Sequence, residues 1–174
     1  MSRILARDCP IQFASRSTHH SRAERGEQSE YHPLTPHVVK SIEVSAGLVF
    51  RNGKLLITQR HAGAHLGGLW EFPGGKREAH ETFEECLARE LREELGIEVE
   101  IGELLESLTH TYPEKTVLLK FFRCRWKQNE PRAIDCLDLK WVTAAELHNY
   151  EFPAADARLL EMLQGSPGVW KNEG

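Results

Sequence analysis

From Ser41 onward, apolar side chains fall at every second position: Ile42, Val44, Ala46, Leu48 and Phe50. That period of two predicts a half-buried strand, because successive residues of a strand face opposite sides of its sheet. Asn52-Gly53 follows at once, trailed by Lys54-Leu55-Leu56-Ile57-Thr58. Both residues of the pair tolerate positive φ, so a type I′ turn and a β-hairpin are expected. Residues 59–72 hold Gly63, Gly67 and Gly68 without any period and predict a loop ending in Trp70-Glu71-Phe72.

Past Pro73-Gly74-Gly75 the pattern turns helical. Thr82 and Glu85 have capping-box spacing, a hydroxyl covering one orphan N–H while a carboxylate reaches back for another. Leu87, Ala88, Leu91 and Leu95 form one stripe suited to burial on a sheet, and Gly96 supplies the stop. Further strands are expected near 97–108, 117–125 and 139–142, a short helix near Thr143 and a last helix over about 154–163. Strands and helices mixed in this order predict an α/β sandwich without internal repeats. Residues 1–38 lack a sustained period and end in the breaker run His32-Pro33-Leu34-Thr35-Pro36. The organisation expected is a flexible N-terminal extension over 1–40, a folded domain over 41–165 and a C-terminal tail over 166–174.

Composition narrows the function classes. With 174 residues, 40% hydrophobic and 28% charged, the chain has ordinary globular usage and enough length for one core. A net charge of -4 argues against a broad nucleic-acid grip, so an anionic substrate needs metal ions or a local cationic cluster. Cys9, Cys86, Cys124 and Cys136 form no CxxC pair, which disfavours a disulfide scaffold or a zinc site and points to a reducing cytoplasm. No apolar run is long enough to span a membrane, and the arginines of the first thirty residues are interspersed with acids, unlike a transit peptide.

The chemistry concentrates on the helix after Gly75. Glu90, Glu93 and Glu94 stand at i, i+3 and i+4 and share a face, an arrangement that opposes helix formation by roughly 0.2–0.5 kcal/mol per like-charged pair. One explanation is a solvated acidic face with Arg89 pairing to Glu93. The other is a divalent cation site, since Mg²⁺ prefers hard oxygen donors together with substrate phosphates. Residue types alone leave both open.

Residues 75–97 read Gly75, five residues, Glu81, seven residues, then Arg89-Glu90-Leu91-Arg92-Glu93-Glu94-Leu95-Gly96-Ile97. This resembles the Nudix box at every defined position. The segments Leu69-Trp70-Glu71-Phe72-Pro73-Gly74-Gly75-Lys76 and Phe152-Pro153-Ala154-Ala155-Asp156 are similar to parts of MutT-type nucleoside triphosphate pyrophosphohydrolases, and the likeness covers 44–163.

The resemblance implies a Nudix-type α/β/α sandwich with a mixed sheet, and cleavage of a nucleoside triphosphate to monophosphate and pyrophosphate. It implies Mg²⁺, with Mn²⁺ as a substitute, held by Glu90, Glu93, Glu94 and the Gly75 carbonyl. Glu90 would also take the proton of the attacking water. Arg89 would orient the carboxylates with Glu81 in support, and Asp135, or failing it Asp138, would supply an extra acid. Phe72 would pack on the base, Arg60 would reach the phosphates or the base, and Lys76 would be a further substrate-binding residue. Asp156 stands where MutT proper has an asparagine. An ionised Asp only accepts hydrogen bonds, which places guanine selectivity in doubt, and relatives that prefer cytidine nucleotides have a similar ending.

On residue type alone Phe72 is core, Arg60 and Lys115 are solvated, and Asp156 is a helix N-terminal residue favoured by the dipole. His61, His65, His110 and Cys86 receive no role. The implied partner is a small nucleotide, with no stable nucleic acid or membrane partner, in a monomer or homodimer. The alternatives are hydrolysis of ADP-ribose or a dinucleoside polyphosphate, with Tyr112 and Pro113 in the discriminating region, or a non-catalytic module that reads an oxidised base.

Overall fold

The computed structural model describes residues 40–111 and 115–171. The expected extension, apart from Lys40, lies outside these residues, as do Cys9, Tyr112 and Pro113.

Strand β1 (Lys40–Arg51) leads through Asn52 (φ 51°) and Gly53 (φ 71°) into β2 (Lys54–Gln59), so both turn residues adopt the positive φ that the hairpin needs. Two short strands, β3 (Trp70–Glu71) and β4 (Gly74–Lys76), interrupt the segment expected as loop. They carry no periodicity because two or three residues are too few to show one. Helix α1 (Phe83–Leu95) follows, then the long strands β5 (Glu98–Thr111) and β6 (Lys115–Gln128), β7 (Asp138–Val142) and helix α2 (Ala157–Gly165). The short helix expected near Thr143 is a single 3₁₀ turn, Leu147–Asn149, and another, Ala154–Asp156, leads into α2.

All seven strands join one sheet of order β3-β2-β1-β6-β5, with β4 added to β1 and β7 to β2. The sheet is mixed: β1 and β6 run parallel over eleven residue pairs, and the other pairings are antiparallel. Strand β1 is therefore central, and it differs from the half-buried strand its alternation predicts. Ala46, Leu48 and Phe50 enter one core layer with Leu55, Ile57, Phe121 and, from α2, Leu159 and Leu163. On the opposite face Val49 joins Leu56, Phe122 and Cys124 beneath Leu87, Leu91 and Leu95 of α1. Ser45, also fully buried, is the one described residue whose side-chain oxygen has neither a partner nor exposure. Helices thus cover both faces, as an α/β/α sandwich requires.

The folded domain continues past residue 165. Trp170, on the 3₁₀ turn Pro167–Trp170, is only 8% exposed, packs edge-on against Phe50 with centroids 5.6 Å apart, and donates its indole N–H to the Leu163 carbonyl at 2.7 Å. A segment of mainly small residues gives no period, yet one indole suffices to anchor it.

Candidate active site

Three local devices fix α1. The Glu85 amide donates to the Thr82 hydroxyl at 3.1 Å and the Thr82 amide donates to the Glu85 carboxylate at 2.8 Å, which closes the capping box. Gly96, at φ 70°, ends the helix with its N–H on the Arg92 carbonyl. The buried leucine stripe then sets the rotation and turns the glutamates toward the glycine loop and β4. Gly75 makes this approach feasible, since a Cβ there would lie 2.2 Å from the Glu90 carboxyl carbon. Gly74, at φ 150°, presses as closely on the β1 backbone and donates its N–H to Glu94 Oε2 at 3.3 Å.

Arg89 organises the remainder. Its guanidinium contacts both Glu81 oxygens, at 2.7 and 3.1 Å, and reaches Glu90 at 2.8 Å, Glu93 at 3.2 Å and the Lys76 carbonyl at 3.3 Å. The pairing with Arg89, aided by the Glu78 amide, holds the Glu81 carboxyl down at about 2. Burial pushes Glu90 up despite Arg89 beside it. It pushes Glu94 to about 8, with Glu90, Glu71 and Asp135 adding repulsion. Glu93 is mostly exposed, its side chain 60% accessible. The three acids therefore do not gather as the shared helix face suggests, and among the described residues no three His, Cys, Asp or Glu stand grouped as ion ligands. Arg89 holds Glu90 and Glu93, while Glu94 turns to Gly74.

The donor set nonetheless suits a hard divalent cation: carboxylates of Glu90, Glu93 and Glu94 with the Gly75 carbonyl, which the Cys86 thiol meets at 3.6 Å. A cation there would offset the burial, and the repulsion added to it, that push Glu94 and Glu90 up.

A cleft of about 450 Å³ opens over this floor, its walls including Arg60, Glu71, Phe72, Lys76, Glu94 and Asp156. Asp135, on the loop after β6, borders the same cleft: its amide donates to the Glu94 carbonyl at 3.2 Å and its exposed carboxylate lies 3.5 Å from His61 Nε2. Asp138 instead bonds its neighbour's amide and faces Lys140. Phe72 is buried, stacked on Phe152 at 5.2 Å and edge-on to Phe121 at 6.0 Å, so it serves the core as well as the cleft wall. Asp156 is 5% exposed, and burial, then Glu71, raises its carboxyl to about 6. Glu71, paired with Arg60, went unnoticed in the sequence; its signal was an acid between Trp70 and Phe72 immediately before Pro73-Gly74-Gly75. A larger cleft, about 840 Å³, lies elsewhere between Phe50, Arg123 and Arg125, but its arginines are matched by Glu103 and Glu100.

Cys86, Cys124 and Cys136 are free and buried. Burial pushes Cys86 to about 12, with Glu81 and Glu90 adding to it, which leaves no nucleophilic thiolate near neutral pH. No helix among the described residues is long and apolar enough to cross a membrane.

Residues 45–162 match the model of the NUDIX domain. The chain is 38% identical to a CTP pyrophosphohydrolase of Escherichia coli, over 71% of this chain and 91% of that protein. It is 32% identical to an 8-oxo-dGTP diphosphatase of the same organism, over 72% and 98% respectively. Among solved structures, the E. coli ORF135 protein is 36% identical and superimposes with a TM-score of 0.64, covering 74% of this chain and 91% of its own. Nudix hydrolases are in general dependent on divalent metals. With the box helix, its glycine loop and the mixed sheet all present, the chain belongs to the Nudix hydrolase family and to its MutT-like members.

Proposed function

We propose that the protein hydrolyses a nucleoside triphosphate to the monophosphate and pyrophosphate with Mg²⁺, for which Mn²⁺ can substitute. The observation that carries this reading is Glu94, a carboxyl buried beside Glu90 at the floor of the cleft and raised to about 8. Such a floor gives up its protons to a hard divalent cation, whose charge then attracts the polyphosphate. Glu90, Glu93, Glu94, the Gly75 carbonyl and, from the facing loop, Asp135 would hold the ions. When bound, they neutralise the non-bridging phosphate oxygens and lower the pKa of water.

The side chains do the rest. Glu90 would act as the base toward the attacking water. Arg89, locked by Glu81, sets the rotamers of Glu90 and Glu93, where a displacement of about an ångström is costly. Arg60 and Lys76 bind phosphate oxygens from the two sides of the cleft. Phe72 supports the base, and Asp156, when ionised, accepts from an exocyclic amino group. Guanine also carries an exocyclic amino group, but an ionised Asp156 offers no donor to its O6, and that favours a cytidine nucleotide, in keeping with the relative named for CTP, over the oxidised guanine nucleotide of the other. The free thiols suit the cytoplasm as the setting, where the enzyme would clear unwanted triphosphates from the nucleotide pool.

The test is a panel of CTP, dCTP, dGTP, 8-oxo-dGTP, ADP-ribose and a dinucleoside polyphosphate, each with Mg²⁺, Mn²⁺ or EDTA, read by chromatography of the nucleotide products and, for the triphosphates, by pyrophosphate release. Triphosphates should turn over with either ion and stop with chelator. Turnover of ADP-ribose alone, or indifference to EDTA, overturns the reading.

A further inference from the structure

Resting on that functional reading, we propose that Arg77 is a positioning residue for the metal-binding glutamates and acts on them through Glu81 and Arg89. Arg77 follows the end of β4, and the turn from Glu78 to Glu81 separates it from α1. Its backbone amide donates to the Glu43 carbonyl at 2.9 Å, which ties it to the central strand β1. Its side chain returns to the same residue: Nε donates to Glu43 Oε2 at 2.7 Å, and Nη2 closes on that oxygen as well. The remaining nitrogen, Nη1, serves the turn, donating to the Glu81 carbonyl at 2.5 Å and to the Glu78 carbonyl at 3.1 Å. The guanidinium carbon also lies 5.4 Å from the ring centroid of Phe83, the first residue of α1.

The turn that Arg77 holds is the one on which Arg89 leans. The Glu78 amide closes it by donating to Glu81 Oε1 at 2.8 Å, and the same carboxylate takes Arg89 on both oxygens. Arg89 in turn reaches Glu90 and Glu93. A guanidinium that meets one carboxylate through two nitrogens and two carbonyls through a third fixes an angle as well as a distance, because its donors lie in one rigid plane. Both partners are partly shielded, with 23% of the Arg77 side chain and 32% of the Glu43 side chain exposed, so their attraction is less screened than that of an ion pair in open water. An apolar side chain could cover Phe83 but would supply none of these bonds. A turn released from β1 would let Glu81 shift, Arg89 would follow it, and Glu90 and Glu93 would lose the geometry that an ion requires.

The experiment titrates Mn²⁺ into the full chain, its Arg77→Met, Arg77→Lys and Glu81→Gln variants, and the double variant of Arg77→Met with Glu81→Gln. Free Mn²⁺ is read by electron paramagnetic resonance, and kcat and KM are measured beside it on the triphosphate that the parent turns over fastest. Arg77→Met should weaken Mn²⁺ binding about tenfold, a loss common for outer partners of metal ligands. It should lower kcat while KM at saturating ion stays near the parent value. Arg77→Lys, which keeps the charge but not the fork, should fall between the two, and it carries the test if the methionine variant folds poorly. The double variant should bind Mn²⁺ no more weakly than Glu81→Gln, because both changes break one route. An Arg77→Met variant that binds Mn²⁺ as the parent does, or losses that multiply in the double variant, overturn the role of Arg77 alone. A parent that binds no Mn²⁺ overturns the functional reading and the role of Arg77 together.

Discussion

Glu94→Gln should make the metal-free protein more stable and the enzyme inactive. Glu94 is raised from 4.5 to about 8, first by burial and then by Glu90, Glu71 and Asp135. In the unfolded chain it ionises above 4.5, whereas in the folded chain it stays protonated until about 8. The folded state thus binds the extra proton, and stability falls with pH by about 1.4 kcal/mol per pH unit across that window. The penalty is absent below pH 4.5, reaches about 3 kcal/mol at pH 7 and levels off near 5 kcal/mol above pH 8. Glutamine carries no such penalty, fills the same volume and still offers an oxygen to the Gly74 N–H, so no cavity or orphan amide offsets the gain.

The assay is urea unfolding of both proteins in EDTA at pH 5, 7 and 9. The stability difference should widen steadily with pH, from under about 1 kcal/mol to several. Addition of Mg²⁺ should narrow it, because an ion bound only by the folded parent stabilises that state by mass action. A difference that does not change between pH 5 and pH 9 would refute the argument that burial of like charges dominates this floor.

Three other outcomes are expected. Glu93→Gln removes a mostly exposed i,i+4 pair with Arg89, worth about 0.3–0.5 kcal/mol, so the melting curve should barely move while pyrophosphate release falls about a hundredfold or more. Asp156 gains its accepting, ionised form as pH rises through about 6, so KM for CTP should fall between pH 5 and 7 and the inflection should vanish in Asp156→Asn; a KM profile unchanged by the substitution would remove Asp156 from base reading. Trp170→Ala deletes a buried indole and its bond to Leu163 and should cost about 3–5 kcal/mol in denaturant unfolding, whereas a true tail residue would cost nothing measurable.

Periodicity and turn chemistry carried most of the architecture. The alternation through Leu48 and Phe50, the Asn52-Gly53 turn, the Thr82/Glu85 box and the Gly96 stop are local features, set by φ preference and by hydrogen bonds within a few residues. The box acids were legible for the same reason, since helical spacing ties Glu90, Glu93 and Glu94 to neighbouring positions. Features that depend on remote chain were not legible. Strands β3 and β4 are strands only because β2 and β1 bond to them. Burial of both faces of β1 requires two helices more than thirty residues away from it or from each other.

The sequence by itself determined that a capped helix would carry the acids and that glycines would precede it, because these choices are energetic matters of single residues and their immediate neighbours. Tertiary structure alone decided how each acid is charged and what it faces. Glu81, Glu90 and Glu94 are the same amino acid, yet one is held near 2 by Arg89 and another raised to about 8 by burial. Glu71 came to share one cleft with Glu94 and Asp156 in the same way. Desolvation and Coulomb interaction act through space, over distances that the chain closes only by folding.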